Sequence, residues 1–137
     1  MPRYLLDTNI CIYLIKYQPV EVAERFAQCY RGDVVMSAVT YAELQFGVAV
    51  AVDPTREAGN LAALVEDIPV VPFHVAAAIA YGPIRAATRE SRKDHLDKLI
   101  AAHAVSLDVI LVTNNEADFA KYPGLRTENW VANLASN

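Results

Sequence analysis

Cysteine is scarce in this chain: Cys11 and Cys29 are the only two, they lack the spacing of metal ligands, and both fall on stretches that read as helix. Two such thiols are expected to be reduced and partly packed rather than bridged, and they carry no assigned chemistry. Long apolar runs are missing too. None reaches the roughly 18–20 residues that a membrane-spanning helix needs. Met1-Pro2-Arg3-Tyr4 leads straight into a strand-like run, with no basic-then-apolar leader and no small-residue cleavage site. The expectation is a cytoplasmic protein with no membrane partner. Positive charge is in deficit, with 12 Lys and Arg against 16 Asp and Glu and a formal net charge of −4. This argues against indiscriminate polyanion binding, because that affinity comes mainly from cations neutralising phosphates. A nucleic-acid substrate reached through a local basic edge and a metal stays open. No His or Cys cluster, internal repeat or low-complexity segment occurs.

What is present is apolar residue, 54% of 137, enough for one domain over residues 1–137 with a core that needs no disulfide or metal staple. The stretch Arg3 to Ile15 organises the rest. A short apolar run meets Asp7, and Thr8-Asn9 is followed by Ile12, Leu14 and Ile15 at helical spacing. This reads as a buried first strand ending at Asp7, with Thr8 or Asn9 capping the helix behind it. In an open parallel sheet, ligands bind in the crevice outside the carboxyl ends of the strands, which puts Asp7 at the expected site mouth.

Downstream, the spacing predicts a helix over Val20 to Tyr30, a strand Val34 to Met36 stopping at Ser37, and a helix over Ala38 to Val50 carrying Glu43. A helix from Thr55 to Asp67, capped by Thr55, and an edge strand between Pro69 and Pro72 follow. From Val75 to Arg92 the chain is helical, and Gly82-Pro83 predicts a kink or two helices. Arg85, Arg89 and Arg92, spaced about a turn apart, form a candidate phosphate-contacting ridge. Asp94 to Leu107 reads as a helix, Val109 to Val112 as a strongly apolar strand ending on Thr113-Asn114-Asn115-Glu116-Ala117-Asp118, and Leu125 to Trp130 as an edge strand with Trp130 packed on a helix. Strand and helix alternate throughout, which argues for an α/β fold: a central, mostly parallel twisted sheet of about four to five strands with helices on both faces.

Parallel strands share one carboxyl edge, so Asp7, Glu43, Asp97 and Asp118, far apart in sequence, are expected to converge. Carboxylates crowded in this way raise each other's pKa. A divalent cation resolves the conflict, and oxygen-only donors point to a hard ion, Mg²⁺ or, as a substitute, Mn²⁺. Such ions make a bound water more acidic and neutralise charge on a phosphoryl oxygen, so the reaction class is metal-assisted phosphodiester hydrolysis. His95 and His103 are left out, since a lone helical His is more often structural or exposed. Lys98, about 100° around the helix from Asp97, is expected to face away from the metal or toward substrate.

Four motifs carry a resemblance: Tyr4 to Ile10 (YLLDTNI), Ser37 to Gly47 (SAVTYAELQFG), Asp97 to His103 (DKLIAAH) and Leu111 to Phe119 (LVTNNEADF). In that order, and over nearly the whole chain, they resemble the PIN-domain family, specifically the VapC-type toxins of bacterial toxin–antitoxin modules. The resemblance implies a PIN-like α/β fold and a Mg²⁺-dependent endoribonuclease. It further implies a VapB-type antitoxin partner, a homodimer within a toxin–antitoxin hetero-oligomer, and a structured tRNA as substrate, cut in its anticodon loop. Asp7, Glu43 and Asp97 match the family's acidic triad, and Asn115 or Asp118 stands at the fourth metal position. Thr8, Ser37 and Thr113 fit supporting roles, their hydroxyls bonding the carboxylates.

Three rivals stand beside this. One is a phosphatase or dehalogenase using a first-strand Asp as nucleophile, which commonly wants a second Asp where Asn9 stands. Another is a phospho-acceptor receiver module, which wants an acid pair after the first strand that Thr8-Asn9 does not supply. The third is a catalytically dead PIN fold kept as a binding partner.

Overall fold

The computed structural model describes residues 1–131; the domain read from the sequence runs on to Asn137, and residues 132–137 lie outside the described part. Five short strands, β1 (Tyr4–Leu6), β2 (Val34–Ser37), β3 (Val70–Val71), β4 (Ile110–Val112) and β5 (Thr127–Glu128), form one sheet in the order β3-β2-β1-β4-β5. Every pairing is parallel, and Leu6 lies level with both Met36 and Val112. The helices are α1 (Thr8–Lys16), α2 (Val20–Ala27), α3 (Ala38–Ala49), α4 (Pro54–Asp67), α5 (Val75–Ala87), α6 (His95–Leu107) and α7 (Glu116–Phe119).

The central strand shows how three residues build two cores. Side chains alternate across a strand, so Tyr4 and Leu6 pack to one side with Val34, Met36, Val112 and the apolar faces of α1 to α4. Leu5 points to the other, against Val35, Leu111, Ile84, Ile100 and Ala104. All three are essentially inaccessible to solvent, as expected of a sheet covered on both faces. The edges are short: Pro69 and Pro72 flank β3, as read from the sequence, and β5 shrinks to two residues. Beyond it, Trp130 stands edge-on to Tyr4 at 5.3 Å between ring centroids, and the Arg25 guanidinium of α2 lies 5.2 Å from the indole. The tryptophan therefore packs on a helix, as its position suggested.

Three expectations are corrected. Asp7, not Thr8 or Asn9, caps α1, because its Oδ1 accepts the Ile10 N–H at 2.9 Å. Asp53 rather than Thr55 caps α4, with Pro54 taking the first helical position, where its missing N–H costs nothing. Finally, of the two outcomes expected at Gly82-Pro83 the division into two helices is overturned, since α5 is one helix from Val75 to Ala87. Gly82 and Pro83 lie on the exposed face, and the carbonyl that loses its partner belongs to Ile79, itself 70% exposed. Water can satisfy that carbonyl. The helix ends at Ala87, so Arg89 and Arg92 fall in the connection to α6 and the basic residues are not one helical ridge. Among the described residues, no helix is long and apolar enough to cross a membrane.

Candidate active site

The carboxyl edge of the sheet is where the acids meet. Asp7 closes β1: its N–H bonds the Val112 carbonyl of β4 at 3.0 Å, and its side chain at once caps α1. It is only 6% exposed. Burial pushes its pKa up and the charge of Glu43 adds to this, while hydrogen bonds from Thr113, Ile10 and Asn9 act in the opposite sense. Glu43 rides on α3, which starts where β2 ends, one strand over. The Thr8 hydroxyl donates to Glu43 Oε1 at 2.6 Å, fixing the carboxylate toward Asp7.

Asp97 sits in the first turn of α6 and is the most strained of the acids. Its pKa rises to about 6, first through burial and then through the charges of Asp94, Asp7, Glu43 and Asp118. That list of neighbours places all the sequence-predicted acids within one electrostatic field. Asp118 and Asn115 lie on the exposed side, beyond β4, with Asn115 Nδ2 donating to Asp118 Oδ2 at 2.6 Å and the Asn115 N–H bonding Thr113 Oγ1 at 3.0 Å. Among the described residues, the ion pairs are Arg3–Asp33, Arg25–Glu128, Lys121–Asp94 and Arg126–Asp108, so none reaches Asp7, Glu43 or Asp97.

Among the described residues, no three His, Cys, Asp or Glu side chains close into a cage for an ion as they stand. The donor chemistry nevertheless fits a hard dication: oxygens only, anionic, crowded and without a protein cation. An open arrangement also suits an ion that keeps several of its waters and takes a few carboxylates.

The supporting hydroxyls divide. Thr8 serves Glu43 and Thr113 serves Asp7, but Ser37 does not touch a carboxylate. Its Oγ accepts the Val39 N–H at 3.0 Å, capping α3, and lies 2.7 Å from His103 Nδ1. His103 is fully buried on α6, edge-on to Phe73 at 5.3 Å. This bond ties the helix carrying Glu43 to the helix carrying Asp97, and the sequence reading had set His103 aside. Its signal was a polar residue on a face otherwise made of Ile100, Ala101 and Ala104. Ser37→Ala is expected to destabilise the fold by about 2 kcal/mol, losing a cap and leaving a buried imidazole nitrogen unpaired; a urea melt measures it.

Lys98, expected to face away from the metal or toward substrate, is turned under the α5–α6 connection. It is 1% exposed, and its Nζ donates to the Thr88 carbonyl at 3.1 Å and the Ser91 carbonyl at 2.6 Å. Arg85, Arg89 and Arg92 are exposed, Arg85 lying over Tyr81.

A model of the PIN domain matches residues 4–125. The chain belongs to the PIN-domain family. Among relatives of this PIN domain, the tRNA(fMet)-specific endonuclease VapC of Shigella flexneri is 41% identical over 132 residues, covering 95% of this chain and 99% of its own. Ribonuclease VapC2 of Haemophilus influenzae is 38% identical over 133 residues, covering 96% and 100%. Among solved structures, DNA-bound VapBC from Salmonella typhimurium superposes with a TM-score of 0.87 at 34% identity, over 95% of this chain and 99% of that one. VapBC2 from Rickettsia felis, bound to a DNA fragment from its promoter, gives 0.85 at 29% identity, over 93% and 98%. This PIN domain is of the VapC type, which parts it from the aspartyl-phosphatase and receiver alternatives.

Proposed function

We propose that this VapC-type PIN domain is a Mg²⁺-dependent endoribonuclease, the toxin of a toxin–antitoxin pair, with Mn²⁺ as a workable substitute. The observation that carries the reading is the meeting of Asp7, Glu43 and Asp97 at one strand edge with no protein cation paired to them among the described residues, which also pushes the Asp97 carboxyl up to about 6. A carboxylate held so unfavourably in the absence of a cation is arranged for one. Asp7, Glu43 and Asp97 would hold the ion, with Asp118 or Asn115 completing the set. When bound, such an ion makes a water more acidic and offsets charge on the phosphoryl group. The Thr8 hydroxyl orients Glu43 and the Thr113 hydroxyl orients Asp7.

Single-stranded loops are the accessible RNA targets, because their bases can be splayed into a cleft. The Shigella relative is named for tRNA(fMet), which supports a tRNA substrate cut in its anticodon loop. A VapB-type antitoxin is supported by the solved VapBC complexes. Beside Glu43, α3 and α6 expose Phe46 and Leu96, apolar surface of the kind that a homodimer and an antitoxin would cover. The working compartment is the cytoplasm, where the RNA is. The experiment is to sequence RNA ends after inducing wild type and Asp7→Asn side by side. New ends at one site in a tRNA, in the wild type only, support the reading. Identical end profiles from the two proteins overturn it and favour an inactive binding module.

A further inference from the structure

Lys98 is a buried cation that the proposed chemistry does not use, and its surroundings are unusual. Its ammonium bonds only neutral groups, the carbonyls of Thr88 and Ser91, and among the described residues it has no carboxylate within ion-pair distance. Burying a lysine costs several kcal/mol unless it is well satisfied, and a neutral donor would serve the C-terminal end of α5 at lower cost. The positive charge does complement the negative end of that helix, of which Thr88 is the cap.

What the ammonium holds is more informative. The connection between α5 and α6 carries Arg89, Arg92 and Lys93, all exposed, and none of the three makes an ion pair or side-chain hydrogen bond among the described residues. The same connection is fastened from outside. Lys121, just past α7, reaches Asp94 Oδ2 at 3.0 Å, and the Ser91 hydroxyl donates to that same oxygen at 2.9 Å. Asp94 stands at the N-terminal boundary of α6, three residues before Asp97, and α7 carries Asp118. The connection is therefore pinned at Thr88 and Ser91 by Lys98 and at Ser91 and Asp94 by Lys121, and it ends at Asp94, whose charge acts on Asp97. Free cations on a pinned backbone are preorganised for an anion, since ordering a loop on binding would otherwise subtract from affinity.

We infer that Lys98 is a positioning residue for RNA: its buried ammonium holds the Thr88–Ser91 backbone so that Arg89 and Arg92 present a fixed pair of phosphate contacts beside Asp97. This rests on the ribonuclease reading. Lys98 itself touches no substrate, so the effect travels through the arginines. The consequence is a strict dependence: without Arg89 and Arg92, Lys98 has nothing to position.

The test measures binding of a labelled single-stranded RNA in Mg²⁺ to full-length protein in the Asp7→Asn background, so that nothing is cut. Lys98→Met, which keeps the stem and removes the ammonium, is expected to weaken binding roughly tenfold and to flatten its salt dependence, as does Arg89→Ala/Arg92→Ala. The two sets combined should be no weaker than Arg89→Ala/Arg92→Ala alone, because groups that act as a unit are not additive. Lys98→Arg should restore most of the affinity, and amides of the connection should exchange faster in Lys98→Met. In the cutting protein, KM should rise with kcat little changed. If Lys98→Met fails to fold, Lys98→Gln takes its place. Unchanged binding, or an equal loss in the presence and absence of the two arginines, overturns the inference while leaving the ribonuclease reading intact. A parent protein that binds no RNA overturns both.

Discussion

Replacing Asp7 with asparagine is expected to abolish RNA cleavage and, at the same time, to raise the melting temperature of the metal-free protein near pH 7.5. The two effects come from the two jobs the side chain does. As an acid, Asp7 is buried and its pKa is raised by that burial and by Glu43, so its ionised form costs folding free energy whenever no cation is bound. Asparagine removes that charge with little change in volume. As a cap, Asp7 Oδ1 accepts the Ile10 N–H, and asparagine caps as well as aspartate does. The gain reads out as a rise in Tm, which for a domain of this size moves by roughly 3–5 °C per kcal/mol. Asp7→Ala should be equally inactive but less stable than Asp7→Asn, since losing the cap costs about 0.5–2 kcal/mol. For activity, removing even an outer partner of a metal ligand commonly costs about 10–100-fold, so loss of the ligand itself should exceed that. Thermal melts and a cleavage assay on the three proteins decide the matter. An Asp7→Asn protein that cuts at the wild-type rate, or one less stable than Asp7→Ala, would show that the side chain has been misread.

The same residue shows why much of this molecule was legible in its sequence. Three largely buried apolar runs, Tyr4 to Leu6, Val34 to Met36 and Ile110 to Val112, are each followed by a polar residue that is buried only because it is hydrogen-bonded: Asp7, Ser37 and Thr113. Once the alternation with helices made the sheet parallel, those ends had to share an edge. The neighbourhood of Asp97 follows from topology, not from any local pattern. Local chemistry was read less well where two residues compete for one task. Asp7 sits one position before the Thr8-Asn9 pair that looked like the cap, and Asp53 two positions before Thr55, which looked like the other. Capping depends on where the backbone leaves the helix, which the side chains themselves decide only in part.

What the sequence hid depended on distant partners. Lys98 is a charged residue on an amphipathic helix, and its partners are backbone carbonyls of a connection seven and ten residues upstream. No composition rule separates such a lysine from a solvated one. His103 finds Ser37 across 66 residues of chain. Pro83 was expected to kink this stretch or divide it in two; its ring lies on the solvent face and one helix runs through it. In each case a tertiary contact, or its absence on an exposed face, outweighed the local preference.

Asp97→Asn is expected to remove the larger part of the pH dependence that the acidic edge imposes on the metal-free fold. The folded carboxyl titrates at about 6 against an ordinary value of 3.8. Between those values the native state holds more protons than the unfolded chain, so wild-type stability falls as pH rises through this window, and the penalty is complete above about pH 6. The variant has no such group. It should therefore be more stable than wild type at pH 7–8, by a margin that shrinks on acidification and vanishes near pH 4. Buried His103 titrates in the opposite sense. Its pKa is lowered by burial and by His74, so its contribution is present above about 6.5 and lost on acidification, but it is common to both proteins and cancels in the difference. Magnesium should act only on the wild type. At 100 times its Kd an ion adds about 2.7 kcal/mol to stability, more at pH 8 than at pH 5.5, because the ligands must first be deprotonated. Melting curves of the two proteins from pH 4 to 8, with and without Mg²⁺, test this directly. A margin that does not change with pH would mean that Asp97 is not the strained acid, and an equal magnesium shift in both proteins would place the ion elsewhere.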